Sequence, residues 1–286
     1  MNSELNSSDN LTGRAAHFEF GENWQSYAAT IDRKRIDAAV AGVQKLFPGG
    51  LHGKSFLDIG CGSGLHALAA LSLGAASVTA IDIDENSVAA TRETLSRFAP
   101  QEKWSASVLS IFDATQAVPG QFDVVYSWGV LHHTGDMWRA IDRATGLVKD
   151  DGAFAIAIYN ATSMDAFWTA EKRVYTSLPR PGQWLIRQGF VAAWLAGKAV
   201  RGTNPAAYLR DYHLSRGMNF SHDAHDWLGG YPYETASAEQ LRAFFADRGF
   251  AEERGFPRPR TVGLFGSNCH EFVFRKGCTA KQPAGQ

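Results

Sequence analysis

Three glycines at alternate positions behind an acid form the arrangement with the clearest chemical use. Asp58 ends a short apolar run, and Gly60, Gly62 and Gly64 follow it closely. A helix-forming stretch begins at Leu65. This order is typical of a buried parallel strand that turns tightly and opens a helix towards a ligand, with glycine backbone passing close beneath the ligand. An acid at this turn disfavours a bound pyrophosphate and suits a ligand with a cationic ammonium group.

The glycine spacing also separates two classes of nucleotide site. The dinucleotide fingerprint G-x-G-x-x-G would need glycine at the position of Leu65. An NAD(P)-dependent oxidoreductase is therefore disfavoured. Cys61 lies inside the turn, and we interpret it as a small residue there and not as a nucleophile.

A second acid follows the next predicted strand, Ser77–Asp82. Asp82 lies 18 residues after Gly64, close to the distance of about 20 residues at which an acid at a strand end binds ribose hydroxyls. Asp84, two positions on, is expected to cap the following helix. With the glycine triplet at this offset, Asp82 is predicted to bind the ligand.

These motifs resemble those of the class I S-adenosylmethionine-dependent methyltransferases, whose first motif is an acid followed by this glycine triplet. The resemblance implies the fold, the cofactor S-adenosylmethionine and the activity of that family. It also implies cofactor contacts at the ends of the first four strands. Those contacts are Asp58, Gly60, Cys61, Gly62 and Gly64 around the methionine end, Asp82 and Ile83 near the ribose, Ser110 and Ile111 at the adenine, and Trp128 after the fourth strand.

The third and fourth strands must position the later residues of that set. Val108–Asp113 is predicted to be the third strand and its exit, and Asp113 is an alternative to Ser110 for the adenine contact. The fourth strand begins at Phe122 and leads into Val130-Leu131-His132-His133, an ending frequent among small-molecule members of the resembling family. The two histidines also have a structural interpretation, one packing under the sheet and one capping the next helix, which we favour for at least one of them.

The elements along the chain, together with the resemblance, predict an α/β fold. We expect a doubly wound, mostly parallel seven-stranded sheet, the Rossmann-like methyltransferase fold, with a helical cap insertion. A helix from Asp136 should stop at Lys149–Gly152 and lead into a fifth strand, Ala153–Tyr159. Strands near Ala251–Pro257 and at Glu271–Arg275 complete the sheet, the last one antiparallel. The predicted divisions are a disordered leader (1–16), the cofactor-binding core (17–160 and 236–276), the cap (161–235) and a flexible tail (277–286).

The insertion is rich in aromatic residues and is predicted to be a mostly helical cap over the cofactor pocket, where it would select the substrate. Gln183–Val200 is apolar but interrupted by Arg187, Gln188 and Lys198. Three interpretations of this helix stand: a buried cap helix, a helix in a homodimer interface, or an amphipathic helix at a membrane surface. We favour the first two.

Histidines supply the candidates for proton transfer. Methyl transfer to a hydroxyl needs a base, and His133, His213 or His222 are candidates because an unperturbed imidazole titrates near 6.5. His222 and His225 have the H-x-x-H spacing of some metal sites. Without a third ligand in a fixed register, we predict no metal.

The aromatic residues before the first long helix have two interpretations of equal weight. Trp24 and Tyr27 either anchor the leader to the core or form a lid over the cofactor, as N-terminal aromatics do in related methyltransferases. Tyr27 is therefore included among the candidate cofactor contacts.

The charge and motifs of the chain limit the kinds of molecule that it is expected to bind. The formal net charge is −1 and no long basic run is present, so a nucleic acid is an unfavoured partner. The Asn/Asp-Pro-Pro-Tyr/Phe motif of base-methylating enzymes is replaced by Ser127-Trp128-Gly129-Val130. We find neither a signal-peptide pattern nor a membrane span, and expect a cytoplasmic protein acting on a small-molecule methyl acceptor. The alternative is a non-catalytic regulator or assembly protein that binds S-adenosylmethionine on the same fold.

Overall fold

The fold is built on one twisted sheet of seven strands. The computed structural model describes residues 24, 28, 30–118, 120–216, 220–264, 266 and 268–277, with the side chains of 213–216 and 222 excluded. The strands are β1 (Ser55–Ile59), β2 (Ser77–Asp82), β3 (Trp104–Val108), β4 (Phe122–Trp128), β5 (Val148–Tyr159), β6 (Phe250–Phe256) and β7 (Cys269–Lys276).

The strand order is β3-β2-β1-β4-β5-β7-β6. Strands β1 to β5 pair in parallel, and β7 lies antiparallel between β5 and β6. This confirms the predicted doubly wound, mostly parallel sheet. The order reverses between β1 and β4, and open α/β sheets bind ligands outside the carboxyl ends of the strands at that point.

Helices cover both faces of the sheet. They are α1 (Arg33–Leu46), α2 (Leu65–Ser72), α3 (Glu85–Phe98), α4 (Ile111–Ala117), α5 (Met137–Thr145), α6 (Asp165–Ser177), α7 (Arg180–Val200), α8 (Pro205–Arg216), α9 (Phe220–Gly229) and α10 (Ala238–Ala246). Helices α1, α2 and α3 share one apolar core with the sheet, and α4, α5 and α10 share the other. The cap predicted for α3 is confirmed, since Asp84 accepts hydrogen bonds at its start, and Ser237 with Gln240 forms a capping box on α10.

The prediction for the third strand was wrong in its position. Strand β3 ends at Val108, where the predicted strand and its exit, Val108–Asp113, were expected to begin, and Ile111 begins helix α4. The reason is a local cap: the Ser110 hydroxyl accepts the N–H of Phe112 and starts the helix. Short apolar runs do not distinguish strand from helix by periodicity alone.

The boundary between α5 and β5 also differs from the prediction. Helix α5 ends at Thr145, and β5 already begins at Val148, so Lys149–Gly152 lies inside the strand. Val148 pairs with Phe122 across the sheet, and the register then shifts between Phe122 and Val124. Lys149–Gly152 therefore belongs to β5 because of a long-range strand pairing, which no local sequence pattern reveals.

Helices α6 to α9 are inserted between β5 and α10. The two ends of the insertion are neighbours: Ala236 donates its N–H to the carbonyl of Tyr159, and Ala161 donates to the carbonyl of Ala236. Throughout α7, all of which is described, no residue is buried, so the favoured buried cap helix is not what the structure shows. No helix among the described residues is long and apolar enough to cross a membrane.

Candidate active site

The glycine turn follows β1 at the edge where the strand order reverses. Gly60 and Gly64 both have a φ of 76°, which residues with a Cβ rarely adopt. A Cβ on Gly60 would lie 2.4 Å from the Val130 side chain, and one on Gly64 would lie 2.9 Å from the Cα of Thr91. Packing of the protein itself therefore requires glycine at both positions, whereas the sequence analysis assigned the requirement to a ligand.

Asp82 ties the turn to the end of β2. Its carboxylate accepts the N–H of Gly62 at 3.1 Å and that of Asp84 at 3.0 Å. The turn is further held by Gly60, which donates its N–H to the carbonyl of Ile81 at 2.8 Å. The predicted pair of motifs thus meets in space, with Asp82 directly beside the glycines.

Asp58 lies under the same turn and is only 2% exposed. Among the described residues, its Oδ2 atom has no hydrogen-bond partner. Burial, and then the nearby charge of Asp82, raises the pKa of Asp58 to about 7. Burial likewise raises the pKa of Asp82 to about 6. A fully buried and a partly buried carboxylate, with no cation beside them among the described residues, form a site suited to a positively charged ligand.

Cys61, between these acids, is a buried thiol. Burial raises its pKa well above the usual range, and the charges of Asp82 and Asp58 act in the same direction. A thiol in this setting does not form the thiolate that a nucleophile needs. The structure therefore agrees with a packing role for Cys61.

The residues predicted to contact adenine lie where β3 leads into α4. The Ser110 hydroxyl caps α4, and Ile111 is buried in the core with α5. Leu109 donates its N–H to the carbonyl of Asp82 at 2.8 Å, which places this exit beside the end of β2. Ile83 and Leu109 both pack, partly exposed, against the same core. Leu109 was not singled out by the sequence analysis.

Aromatic rings line the carboxyl end of β4. The Trp128 ring stacks on Tyr126 with 5.5 Å between centroids and 6° between planes. His66 of α2 meets both rings edge-on, and burial lowers the pKa of its imidazole to about 4. Sequence reasoning identified Trp128 but missed His66 and Tyr126, whose convergence depends on how α2 packs on β4.

The N-terminal aromatic segment reaches the glycine turn through Trp24. A Cβ on Gly62 would lie 3.2 Å from the Trp24 ring, so the indole lies against the turn itself. Trp24 also packs on the core shared by α1 and α2. Tyr27, the other aromatic candidate, lies outside the described residues, as do the predicted leader and most of the tail.

His132 and His133 follow β4 in a single 3-10 turn. His132 is fully buried, accepts the N–H of Tyr159 through Nδ1 at 3.4 Å, and has its pKa held well below the usual range by burial. This supports the structural interpretation for His132. His133 Nδ1 lies 2.7 Å from the carbonyl oxygen of Pro232. Because a carbonyl only accepts, Nδ1 of His133 carries the proton and links the sheet to the end of the insertion.

Lys172 is a buried lysine in the insertion and lies among aromatic rings. Lys172 donates to the carbonyl of Trp227, and its Nζ lies 3.8 Å from the centroid of that indole and 5.1 Å from the Tyr233 ring. Burial lowers the pKa of Lys172 to about 7, and burial raises that of the adjacent Glu171 to about 7. Tyr233 in turn packs on Tyr159 at the end of β5. Sequence analysis noted the aromatic density but not this lysine.

The other two candidate bases, His213 and His222, have side chains outside the described residues. Their positions on α8 and α9 place both in the insertion. His225, the second histidine of the H-x-x-H pattern, lies with Nδ1 2.6 Å from the Tyr175 hydroxyl. Within the part of the chain that the structure describes, no group of three or more His, Cys, Asp or Glu side chains could hold a metal.

Part of the chain is similar in sequence to known methyltransferases. The sequence profile described as a methyltransferase domain matches residues 57–154. A ubiquinone biosynthesis O-methyltransferase of Thiobacillus denitrificans is 34% identical over 102 residues, covering 36% of this chain and 43% of that protein. A ribosomal protein L11 methyltransferase of Klebsiella pneumoniae is 47% identical over 53 residues, 18% of each chain. The chain therefore spans less than half the length of these curated relatives.

Solved structures with a similar fold cover more of the chain. A magnesium protoporphyrin IX methyltransferase from Synechocystis with bound S-adenosylhomocysteine has a TM-score of 0.50 and 15% identity, over 85% of this chain and 81% of that one. An O-methyltransferase family protein from Burkholderia thailandensis has a TM-score of 0.51 and 16% identity, over 85% and 57%. At these identities the likeness concerns the fold alone.

Proposed function

We propose that this protein, whose residues 57–154 are a methyltransferase domain, transfers a methyl group from S-adenosylmethionine to a small-molecule acceptor. One observation carries the proposal. At the reversal point of a sheet with the class I methyltransferase order, the buried Asp58 and the partly buried Asp82 flank a glycine turn, and no cation among the described residues compensates their charge. S-adenosylmethionine brings an ammonium and a sulfonium to such a site, whereas the pyrophosphate of NAD would add negative charge to it.

Each residue around the turn has a distinct part in this proposal. Asp58 would balance the ammonium group of the methionine end, and Asp82 would accept hydrogen bonds from the ribose hydroxyls. The exit of β3 at Ser110 and Ile111 would border the adenine. S-adenosylmethionine supplies an activated methyl group on a sulfonium, so alignment of the acceptor is the main task left to the protein.

The acceptor side lies where the insertion meets β4 and β5. Tyr159 and His133 are partly exposed there and meet edge-on with 5.5 Å between ring centroids, which suits a partly apolar acceptor. We infer O- or C-methylation of a phenol, a quinone precursor, a sugar or another secondary metabolite. The similarity to a ubiquinone biosynthesis O-methyltransferase supports this class. A hydroxyl acceptor needs a base, for which His133, His213 and His222 are our candidates.

Parallel calorimetric titration with S-adenosylmethionine, S-adenosylhomocysteine and NAD⁺ tests the cofactor. We expect binding of the first two and not of the third; binding of NAD⁺ alone would refute the proposal. Transfer of a labelled methyl group to a panel of phenols, quinone precursors and glycosides then tests catalysis. Tight binding of the cofactor without transfer to any acceptor would favour the alternative, a regulatory or assembly protein on the same fold.

A further inference from the structure

The two outer strands of the sheet, β3 and β6, differ in how their free edges are protected. Strand β6 carries the exposed acids Glu252 and Glu253 and has a register shift between Glu252 and Arg254. Charged side chains and irregular pairing of this kind keep an edge strand from pairing with another chain. Strand β3 has the sequence Trp-Ser-Ala-Ser-Val, pairs with β2 in regular register and contains neither a charged residue nor a proline. Its own sequence therefore leaves β3 open to pairing.

The outer side of β3 presents the backbone groups of alternate residues. Leu109, directly after the strand, donates its N–H to the carbonyl of Asp82, so the backbone groups of Leu109 point towards β2. These directions alternate from one residue to the next along a strand. Three residues of β3 therefore direct their N–H and carbonyl groups away from the sheet, and no other strand among the described residues pairs with them. They are Trp104, Ala106 and Val108.

One side chain of helix α3 covers the centre of this edge. The Arg92 guanidinium donates to the carbonyl of Ala106 through Nη2 at 2.7 Å and through Nε at 3.2 Å. Ala106 is the middle residue of β3, so its carbonyl is the middle one of the three that point outwards. Two charge-assisted hydrogen bonds to one carbonyl thus hold an exposed cation across the open edge.

The outer side of β3 is complementary to itself. In an antiparallel pair of two β3 strands centred on Ala106, each Ala106 would exchange both backbone hydrogen bonds with its counterpart. Trp104 would then face Val108, which is 52% exposed, and Ser105 would face Ser107. Aromatic and β-branched side chains directly opposite each other stabilise such a pair, and no like charges would oppose it within the strands. A twofold axis through Ala106 would join two sheets into one without changing the pairing of β3 with β2.

We propose that Arg92 prevents two copies of this chain from pairing through their β3 edges. Its guanidinium occupies the carbonyl of Ala106 to which the second copy would have to donate. Pairing would also bring two Arg92 side chains together near the twofold axis, where their like charges repel. The partner that this edge fits is a second copy, because the same register supplies both the hydrogen bonds and the side-chain pairs. The proposal does not depend on the proposed methyltransferase function.

Sedimentation velocity of the full-length Arg92→Ala variant tests the proposal. We expect its sedimenting mass to double relative to the wild-type chain, because the central carbonyl becomes free and the positive charge is lost. Assembly should stop at this mass, since a twofold axis uses both β3 edges and β6 remains protected. In hydrogen exchange, the outward N–H groups of Trp104, Ala106 and Val108 should exchange more slowly in the variant than in the wild type.

Further variants show whether the contact is made by the β3 edge. Arg97→Ala removes another exposed arginine of α3, which lies over the Phe98 ring, and should leave the mass unchanged. Adding Ala106→Pro to Arg92→Ala removes the central outward N–H without affecting the bonds to β2, and should restore the wild-type mass. Val108→Lys in place of Ala106→Pro should do the same, because it adds a charge to the edge. Circular dichroism melting verifies that each variant is folded.

Several results would overturn the proposal. They are an unchanged mass in Arg92→Ala, an equal increase in Arg97→Ala, and a wild-type dimer that Val108→Lys converts to a monomer. Open-ended aggregation of Arg92→Ala would contradict twofold pairing. A doubled mass that persists with both Ala106→Pro and Val108→Lys would place the contact outside β3. Failure of the chain to bind S-adenosylmethionine would contradict only the proposed function.

Discussion

Asp58 is a buried acid whose charge nothing described in the structure balances. Its pKa of about 7, raised by burial and by Asp82, means that the folded state holds a proton that the unfolded chain releases near pH 4. This group therefore favours the folded state below pH 4, and that contribution is lost as the pH rises to 7. At pH 8 the unliganded protein bears the full cost of a buried charge.

We expect Asp58→Asn to stabilise the unliganded protein and to weaken cofactor binding. At pH 8 the free energy of unfolding should rise by about 1–3 kcal/mol, because the amide removes the buried charge. The gain should shrink towards pH 5. Urea denaturation at both pH values measures it, and a gain that is independent of pH would contradict the assigned titration.

The same carboxylates predict how cofactor affinity depends on pH. A cationic ligand prefers ionised acids, so Asp58 and Asp82 must release protons on binding wherever the free protein holds them. Affinity for S-adenosylmethionine should therefore fall as the pH drops from 8 to 5.5. Calorimetry in buffers of different ionisation enthalpy should show this proton release near pH 6.5. If no protons are released, Asp58 and Asp82 do not contact the cofactor.

Asp82→Ala tests the proposed ribose contact. Loss of charge-assisted hydrogen bonds should weaken S-adenosylmethionine binding by roughly 1–3 kcal/mol. The control is Asp84→Ala, because the Asp84 side chain caps α3 by accepting the N–H groups of Asn86 and Ser87. That variant should cost about 1 kcal/mol of stability and leave affinity unchanged. Equal affinity in both variants would refute the role of Asp82.

At the scale of elements, the turn between β1 and α2 depends on how closely α3 approaches it. Gly64 needs both a left-handed φ and space, since its missing Cβ would meet the Cα of Thr91, a backbone atom that cannot rotate away. Gly249 has the same φ of 76° but nothing within 4 Å of its missing Cβ. Comparing substitutions at Gly64 and Gly249 therefore separates the destabilisation caused by the left-handed dihedral angle from the destabilisation caused by packing.

Gly249→Ala should destabilise the protein by about 1 kcal/mol, the price of a left-handed residue with a side chain. Gly64→Ala should cost about 3 kcal/mol, since α3 must also shift. Thermal or urea denaturation measures both. Equal losses would show that α3 yields easily and that the dihedral angle alone selects glycine at position 64.

At the scale of the whole molecule, the insertion leaves and rejoins the core at neighbouring points. The hydrogen bonds between Tyr159, Ala161 and Ala236 close its base, so the sheet does not need the intervening chain for continuity. Glu234 belongs with the core, because its carboxylate accepts the N–H of Met137 at the start of α5. We propose the division between core and cap on this basis.

Replacing residues 163–232 with a short Gly-Ser linker should leave a folded protein that binds S-adenosylmethionine but transfers no methyl group. The expectation follows because the glycine turn and both acids lie outside the insertion. Circular dichroism, calorimetry and a transfer assay test it together. Loss of cofactor binding in a variant that remains folded would show that the insertion forms part of the cofactor site.

The order of strand β1, its glycine turn and strand β2, with an acid at the end of each strand, was predictable from the sequence. Strand, turn and helix follow one another there within about thirty residues, so residue types and spacing alone indicate the fold class and bring Asp58 and Asp82 to one edge. The cap of α3 at Asp84 and the capping box of α10 were predictable for the same reason, since each depends on three or four adjacent residues.

The contacts that distant residues make with these local motifs became visible only in the tertiary structure. Val130 and Thr91 fix the glycines, Lys172 is enclosed by rings from separate segments, and pairing with β4 extends β5 through Lys149–Gly152. The exposure of α7 was also unpredictable from sequence, because an apolar run has the same pattern whether it is buried in its own protein or left exposed. Burial and its effect on pKa depend on contacts between residues far apart in sequence, and spacing along a single chain does not specify them.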